Sequence, residues 1–172
     1  LIEKVEDIVS GGSNLERAEA RLLKAFSLLR KAEHARSAKL AESVKVKNRS
    51  SEIYILRTEV LVEASFQEYL TKAPEMKFDE KIETLNKVVS HLESIPRNRR
   101  NPRNAFLAGE AYWHLASSYR VEDPTQHRKR WMGYLQKADD WLKPWVEASF
   151  KAKRPLLSED AFFLSVAAVW EL

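Results

Sequence analysis

The sequence predicts an all-α protein of tandem antiparallel helical hairpins, stacked as a short solenoid behind one long N-terminal helix. Apolar residues recur at spacings of three and four along most of the 172-residue chain, which is the periodicity of helices with a buried face. Only 4 glycines and 6 prolines occur, and the prolines fall between the periodic stretches. A helical pattern also recurs after about 50 residues, which is typical of repeat proteins.

The first long helix is predicted over residues 14–47. It opens at GGSN, where Ser13 or Asn14 can cap the first turn. In its second half the apolar stripe thins into a sequence rich in Lys and Ala. A continuous helix here would extend about 50 Å, and a bend near residues 33–37 is the alternative.

Two hairpins and a terminal helix are predicted next, at about 51–94, 102–142 and 158–172. Pro96 is expected to stop one helix, and Pro102 to start the next at a position where proline is favoured. No segment has the pattern of a convincing strand. We therefore expect residues 1–172 to form a single helical-repeat domain.

Two sets of residues carry the internal repeat. The first set is an aromatic, an aliphatic, a small and a second aromatic residue: Tyr112, Leu115, Ala116 and Tyr119. It returns 51 residues later as Phe163, Val166, Ala167 and Trp170. The second set, Ile82, Leu85, Asn86, Val89 and Leu92, returns 49 residues later as Trp131, Tyr134, Leu135, Ala138 and Trp141. The repeating unit is a helical hairpin whose stripes, with Trp131, Trp141 and Trp170, are expected in the core.

On these residues the chain resembles the tetratricopeptide-repeat family over residues 105–144. Ala138 and Pro144 are similar to the alanine and the closing proline of that family's second helix. The chain departs from the family in its longer period and in the bulky Trp131, where a small residue is usual. The resemblance implies a solenoid that binds other proteins, and an ordinary helical bundle is the alternative.

Composition and motifs argue against several functions. Cysteine is absent, which excludes thiolate catalysis, disulfides and cysteine metal sites. The chain has no Gly-rich phosphate loop, and its 4 histidines are scattered without metal-ligand spacing. The longest charge-free run near the end, residues 161–170, is too short to span a bilayer. We therefore expect a non-enzymatic protein without cofactor or metal, in a compartment that the sequence leaves open.

A partner-binding face is predicted on the helix that begins at Pro102. If the repeated set faces the core, the neighbouring face carries Glu110, Trp113, Ser117 and Arg120. In tetratricopeptide-like arrays this face is the concave one, so the resemblance implies that it contacts a peptide or partner protein. Trp and Arg are enriched among interface anchors. The alternative is that Trp113 packs against the preceding hairpin.

A basic region suggests a second function. Residues 95–155 hold thirteen Lys and Arg against six Asp and Glu. Its most concentrated part is predicted to bind anions through Arg97, Arg99, Arg100 and Arg103, with further clusters at 127–130 and 151–154. These clusters lie at helix connections, where they form a basic rim rather than one stripe. An anionic ligand or nucleic acid is therefore the alternative to a protein partner.

The terminal helix is predicted to pack on the preceding hairpin through Phe163, Val166, Ala167 and Trp170. Its other apolar residues, Phe162, Leu164, Ala168, Val169 and Leu172, would then lack polar cover. We expect self-association through residues 162–172, burial against a partner, or further repeats in a longer parent chain. Because the sequence starts without Met, we expect a processed protein or an excised fragment.

Overall fold

The computed structural model describes residues 13–171, apart from the side chains of Ala161 and Phe162. Every regular element in this part of the chain is helical, which confirms the all-α prediction. The helices are α1 (Asn14–Arg30), α2 (His34–Glu42), α3 (Glu52–Lys72), α4 (Phe78–Glu93), α5 (Pro102–Glu122), α6 (Arg128–Ala152) and α7 (Glu159–Glu171). A short 3-10 turn, Arg97–Arg99, precedes α5.

The chain divides into two compact units. Among the described residues, unit 1 comprises residues 13–72 and 90–99, and unit 2 comprises residues 73–89 and 100–171. Helices α1 to α3 belong to unit 1 and α5 to α7 to unit 2, while α4 contributes its first three turns to unit 2 and its end to unit 1. The single domain and the stacking of hairpins into a solenoid stay predictions.

The predicted single helix over 14–47 is wrong, because the chain turns between α1 and α2. Ala32 adopts a left-handed conformation with φ 59°. Its amide donates to the Leu29 carbonyl and the Glu33 amide donates to the Leu28 carbonyl, both at 3.0 Å. This bonding pattern ends many helices and usually places Gly at the left-handed position. Because Ala stands there, the sequence carries no glycine signal for the turn.

Unit 1 is held together by the apolar faces of its three helices. A capping box starts α1, in which the Ser13 hydroxyl accepts from the Glu16 amide and the Glu16 carboxylate accepts from the Ser13 amide. Between α1 and α2, the buried Ser37 hydroxyl donates to the Ala25 carbonyl at 2.7 Å. The core residues of this unit include Leu22, Ala25, Ala41, Val44, Ile53, Val60 and Leu61.

In unit 2, α5 begins as the sequence predicts. Asn101 caps the helix reciprocally with Asn104, and Pro102 occupies its first turn. The repeated set on α5 is buried as expected: Tyr112, Leu115, Ala116 and Tyr119. Tyr134 of α6 covers it, with its ring centroid 6.1 Å from that of Tyr112 and 5.7 Å from that of Tyr119. Helices α5 and α6 therefore pack along the predicted stripes.

Helix α6 is longer than the predicted hairpin over 102–142 allows. It continues through Pro144 to Ala152 and ends where Lys153 takes a left-handed conformation with φ 51°. Pro144 is exposed, while Trp141 before it and Ser149 after it are buried. An internal proline costs a helix about 3 kcal/mol, and burial on both sides of it offsets that cost. Pro144 is thus not the closing residue that the family resemblance implied.

Candidate functional site

The predicted partner-binding residues lie along the contact between α5 and α7. Trp113, Ser117 and Arg120 line a gap of about 20 Å³ together with Trp131 and Glu171. Trp113 and Ser117 are half-buried there, and Arg120 is exposed. This face of α5 is therefore partly covered by a helix of the same unit and is not an open concave surface.

The C-terminal end of this contact is electrostatically complementary. Arg120 Nη1 lies 2.5 Å from Glu171 Oε2, with 52% of the Arg120 side chain and 38% of the Glu171 side chain exposed. The Arg120 guanidinium also lies 5.5 Å from the centroid of the Trp131 ring. Arg120 is thus engaged within its own unit by α6 and α7.

The other end of the contact brings two carboxyl groups towards each other. Burial, with a smaller contribution from the charge of Asp160, raises the pKa of Glu110 to about 6. His114 lies one helical turn further along α5, and burial lowers its pKa. Glu110 therefore sits at a place where its ionised form is disfavoured.

The outer face of α7 is the main apolar surface of unit 2. Phe163 is 80% exposed, Val166 55%, Val169 54% and Trp170 85%. Because their spacing is three, four and seven residues, these side chains share one side of the helix. We call this set the outer face of α7. The sequence predicted that Phe163, Val166 and Trp170 would be buried, and that prediction is wrong.

The side of α7 that is buried is the one that we predicted from the sequence to be left without packing partners. Leu164 packs against Leu142 and Leu157, and Ala168 is fully buried. Gly109 of α5 permits this, since a Cβ there would lie 3.1 Å from Leu164 Cδ2. Because α7 is apolar on more than one side, this close approach at Gly109 favours burial of the side that carries Leu164. Of the residues expected to lack cover, only Val169 is exposed, and the side chains of Phe162 and Leu172 lie outside the described residues.

The tryptophans predicted for the core behave differently from one another. Trp141 is buried with 7% exposure, whereas Trp131 is only half-buried. The Trp131 indole donates to the Pro124 carbonyl at 3.1 Å. Trp170 is exposed, so its predicted core position is wrong.

The four predicted anion-binding arginines fall in both units and are used differently. In unit 1, Arg97 is exposed and Arg99 pairs with Glu52. In unit 2, Arg103 is exposed, and the Arg100 guanidinium lies 3.6 Å from the centroid of the Trp141 ring. Arg99 and Arg100 are therefore engaged by protein groups.

The two other basic clusters lie at opposite ends of α6. His127 stacks on Phe78 with ring centroids 6.3 Å apart, while residues 128–130 are exposed. Residues 151–154 are exposed at the far end of the 25-residue helix. About 32 Å of helix separates Arg130 from Lys151 at 1.5 Å per residue, so the clusters do not form one patch.

Among the residues that the structure describes, no three His, Asp or Glu side chains are grouped so that they could hold a metal ion. Within the same part of the chain, none of the helices is both long and apolar enough to cross a bilayer. No protein-family model, curated protein sequence or solved structure matches the chain.

Proposed function

We propose that this protein is a non-catalytic interaction scaffold that binds a partner protein through the outer face of α7. The observation that carries the proposal is a helix packed on one side and apolar on the other. Phe163 and Trp170, which bracket the outer face, are 80% and 85% exposed. Large exposed apolar patches on soluble proteins commonly mark interaction sites.

The internal repeat supports an amphipathic helix as the occupant. Three residues of the outer face of α7, Phe163, Val166 and Trp170, repeat Tyr112, Leu115 and Tyr119 of the buried set on α5, which α6 covers through Tyr134. Lys137 of α6 also reaches the Tyr112 ring, with its Nζ 5.2 Å from the centroid. A helix with the chemistry of α6, aromatic and leucine anchors beside Lys or Arg, therefore fits the outer face.

Charge favours the same occupant. Residues 159–171 contain three acidic residues and no Lys or Arg. Glu171 is paired with Arg120, but Glu159 and Asp160 are exposed at the start of the helix. Basic residues at one end of the partner helix would complement this acidic end, which increases the association rate and sets the orientation.

A labelled peptide corresponding to residues 128–152 is the appropriate probe, since it has the chemistry of α6. We expect its fluorescence anisotropy to rise on titration with the protein. The double variant Phe163→Glu with Trp170→Glu should weaken binding about tenfold or more, because it places charges in an apolar contact.

The matched control is the double variant Val121→Glu with Leu23→Glu. It adds the same charge at two exposed apolar positions outside α7, where exposure is 84% and 58%. Circular dichroism would verify that both variants keep their helicity. An equal loss of affinity in both variants, or no anisotropy change with the original protein, would contradict the proposal.

The outer face of α7 could instead be covered by a second copy of this chain, and the protein would then self-associate. Sedimentation velocity at increasing protein concentration distinguishes the two. A monomer supports a separate partner protein, whereas a dimer that dissociates in the Phe163→Glu, Trp170→Glu variant would identify the second copy as the occupant and overturn the proposal.

Binding of nucleic acid through the basic rim is less well supported. Arg99 and Arg100 are engaged with Glu52 and Trp141, and the clusters at 127–130 and 151–154 are separated along α6. Titration of a labelled oligonucleotide at two salt concentrations tests this alternative, because binding through phosphate contacts weakens steeply as salt rises.

A further inference from the structure

Unit 1 contains an open cleft that the proposed protein-binding function does not use. Its volume is about 460 Å³, which lies in the range of small-molecule sites. The first two turns of α1 form one wall, and the segment that follows α2 forms the other. The lining residues are Asn14, Arg17, Ala18, Arg21, Ser43, Val44 and Lys45.

The turn between α1 and α2 creates this cleft. With Ala32 in the left-handed conformation, the chain reverses, and the residues after α2 return to the beginning of α1. Val44 is 2% exposed and packs in the core with Leu22 and Val60. The wall that carries Lys45 is therefore anchored by the core of the unit.

The cleft is strongly cationic. Arg17, Arg21 and Lys45 line it, and no carboxylate does. Arg17 Nη2 donates to Asn14 Oδ1 at 2.6 Å, which orients its guanidinium. Within residues 13–171, no ion pair neutralises Arg21 or Lys45.

Two features make an anion favourable at this position. Arg17 and Arg21 are one helical turn apart, where like charges on a helix repel each other. Both are half-buried, so their charges are less screened by water than charges on the open surface. A bound anion would relieve the repulsion and accept charge-assisted hydrogen bonds from both guanidinium groups.

We propose that this cleft is a binding site for a small ligand that carries a diphosphate group. Two guanidinium groups and one ammonium group match the several negative charges and the many acceptor oxygens of such a group. The Ser43 hydroxyl donates to the Leu40 carbonyl at 2.6 Å, so recognition rests mainly on the three cations. The diphosphate can come from inorganic pyrophosphate or from a nucleoside diphosphate.

Isothermal titration calorimetry with the full chain tests the proposal. Pyrophosphate is expected to bind, and the double variant Arg21→Ala with Lys45→Ala should weaken it about tenfold or more. The double variant Lys31→Ala with Arg49→Ala is the matched control, since it removes two exposed positive charges of unit 1 outside the cleft lining. The control should change the affinity less than twofold.

The results of these titrations distinguish specific binding in the cleft from non-specific attraction to positive charge. No binding of pyrophosphate, or an equal loss in both double variants, would overturn the proposal. Adenosine diphosphate is titrated in parallel. Tighter binding than that of pyrophosphate would identify a nucleoside diphosphate as the ligand class, and equal or weaker binding would identify the inorganic group. Circular dichroism of the variants verifies that unit 1 remains helical.

Discussion

The guanidinium of Arg100 lies 3.6 Å from the centroid of the Trp141 ring. Trp141 is buried with 7% exposure, and Arg100 is half-buried beside it. An arginine from a basic, proline-flanked segment thus serves as a packing contact for α6. Cation–π contacts of this kind are worth about 0.5–1 kcal/mol when exposed and about 2 kcal/mol when desolvated.

Arg100→Ala should therefore lower the free energy of unfolding by about 1–2 kcal/mol. The matched control is Arg97→Ala, which removes an exposed arginine of the same segment and should change stability by less than about 0.5 kcal/mol. Urea denaturation followed by circular dichroism measures both values. Equal effects of the two substitutions would show that Arg100 contributes no more than a surface charge.

Gly109 and Gly133 both lie within helices but differ in the space around them, so Gly→Ala substitutions at the two positions can be compared directly. A Cβ on Gly109 would lie 2.8 Å from Leu142 Cδ1, whereas a Cβ on Gly133 meets nothing within 4 Å. Gly109→Ala should destabilise the protein by about 1–2 kcal/mol, because overpacking outweighs the gain in helix propensity. Gly133→Ala should stabilise it by about 0.5–1 kcal/mol. Thermal and urea unfolding of the two variants measure these effects, and stabilisation by Gly109→Ala would show that Leu142 and Leu164 can move aside.

Glu110 predicts a pH dependence of stability. Burial raises the pKa of Glu110 in the folded protein to about 6, from its ordinary value of 4.5. Below pH 4.5 the group is protonated in both states, so it imposes no penalty. Between about pH 4.5 and pH 6 the unfolded state ionises this carboxyl group more readily than the folded state does, so stability falls by about 1 kcal/mol after allowance for solvent screening. The loss is complete above about pH 6.

The Glu110→Gln variant cannot ionise at this position, so it avoids the loss of stability. Its free energy of unfolding, relative to that of the original protein, should therefore rise between about pH 4 and pH 7. Asp160→Asn removes the smaller cause of the shift and should give a partial effect in the same direction. His114 is present in all three proteins, so its own titration largely cancels in the comparison. Urea midpoints measured across this pH range would contradict the prediction if the Glu110→Gln difference stayed constant.

The contact between Arg120 and Glu171 should be weakly stabilising. Both side chains are more than a third exposed, and exposed pairs typically contribute about 0.2–1 kcal/mol. In a double-mutant cycle, Arg120→Ala should cost more than Glu171→Ala, because Arg120 also contacts the Trp131 ring. The coupling energy should fall as salt is added. A coupling energy above about 2 kcal/mol, or one insensitive to salt, would contradict this interpretation.

Local signals in the sequence predicted the start of α5 and the general helical architecture. Asn101 and Pro102 supply the cap and first turn that begin α5, and the same kind of signal at Ser13 begins α1. The turn at Ala32 lies just before the bend at 33–37 that the sequence offered only as the alternative, because a left-handed residue that ends a helix is usually Gly. The continuation of α6 through Pro144 was missed, since proline normally ends a helical pattern.

The sequence by itself determined the helical class, because capping and the spacing of apolar residues are local properties of the chain. The internal repeat also predicted that α5 buries Tyr112 and Tyr119. Only the tertiary structure decided which side of α7 is buried. That helix is apolar on more than one side, and close approach at Gly109 favours burial of Leu164 over Phe163. The candidate binding surface and the cationic cleft both depend on such contacts between residues distant in sequence, which no local pattern specifies.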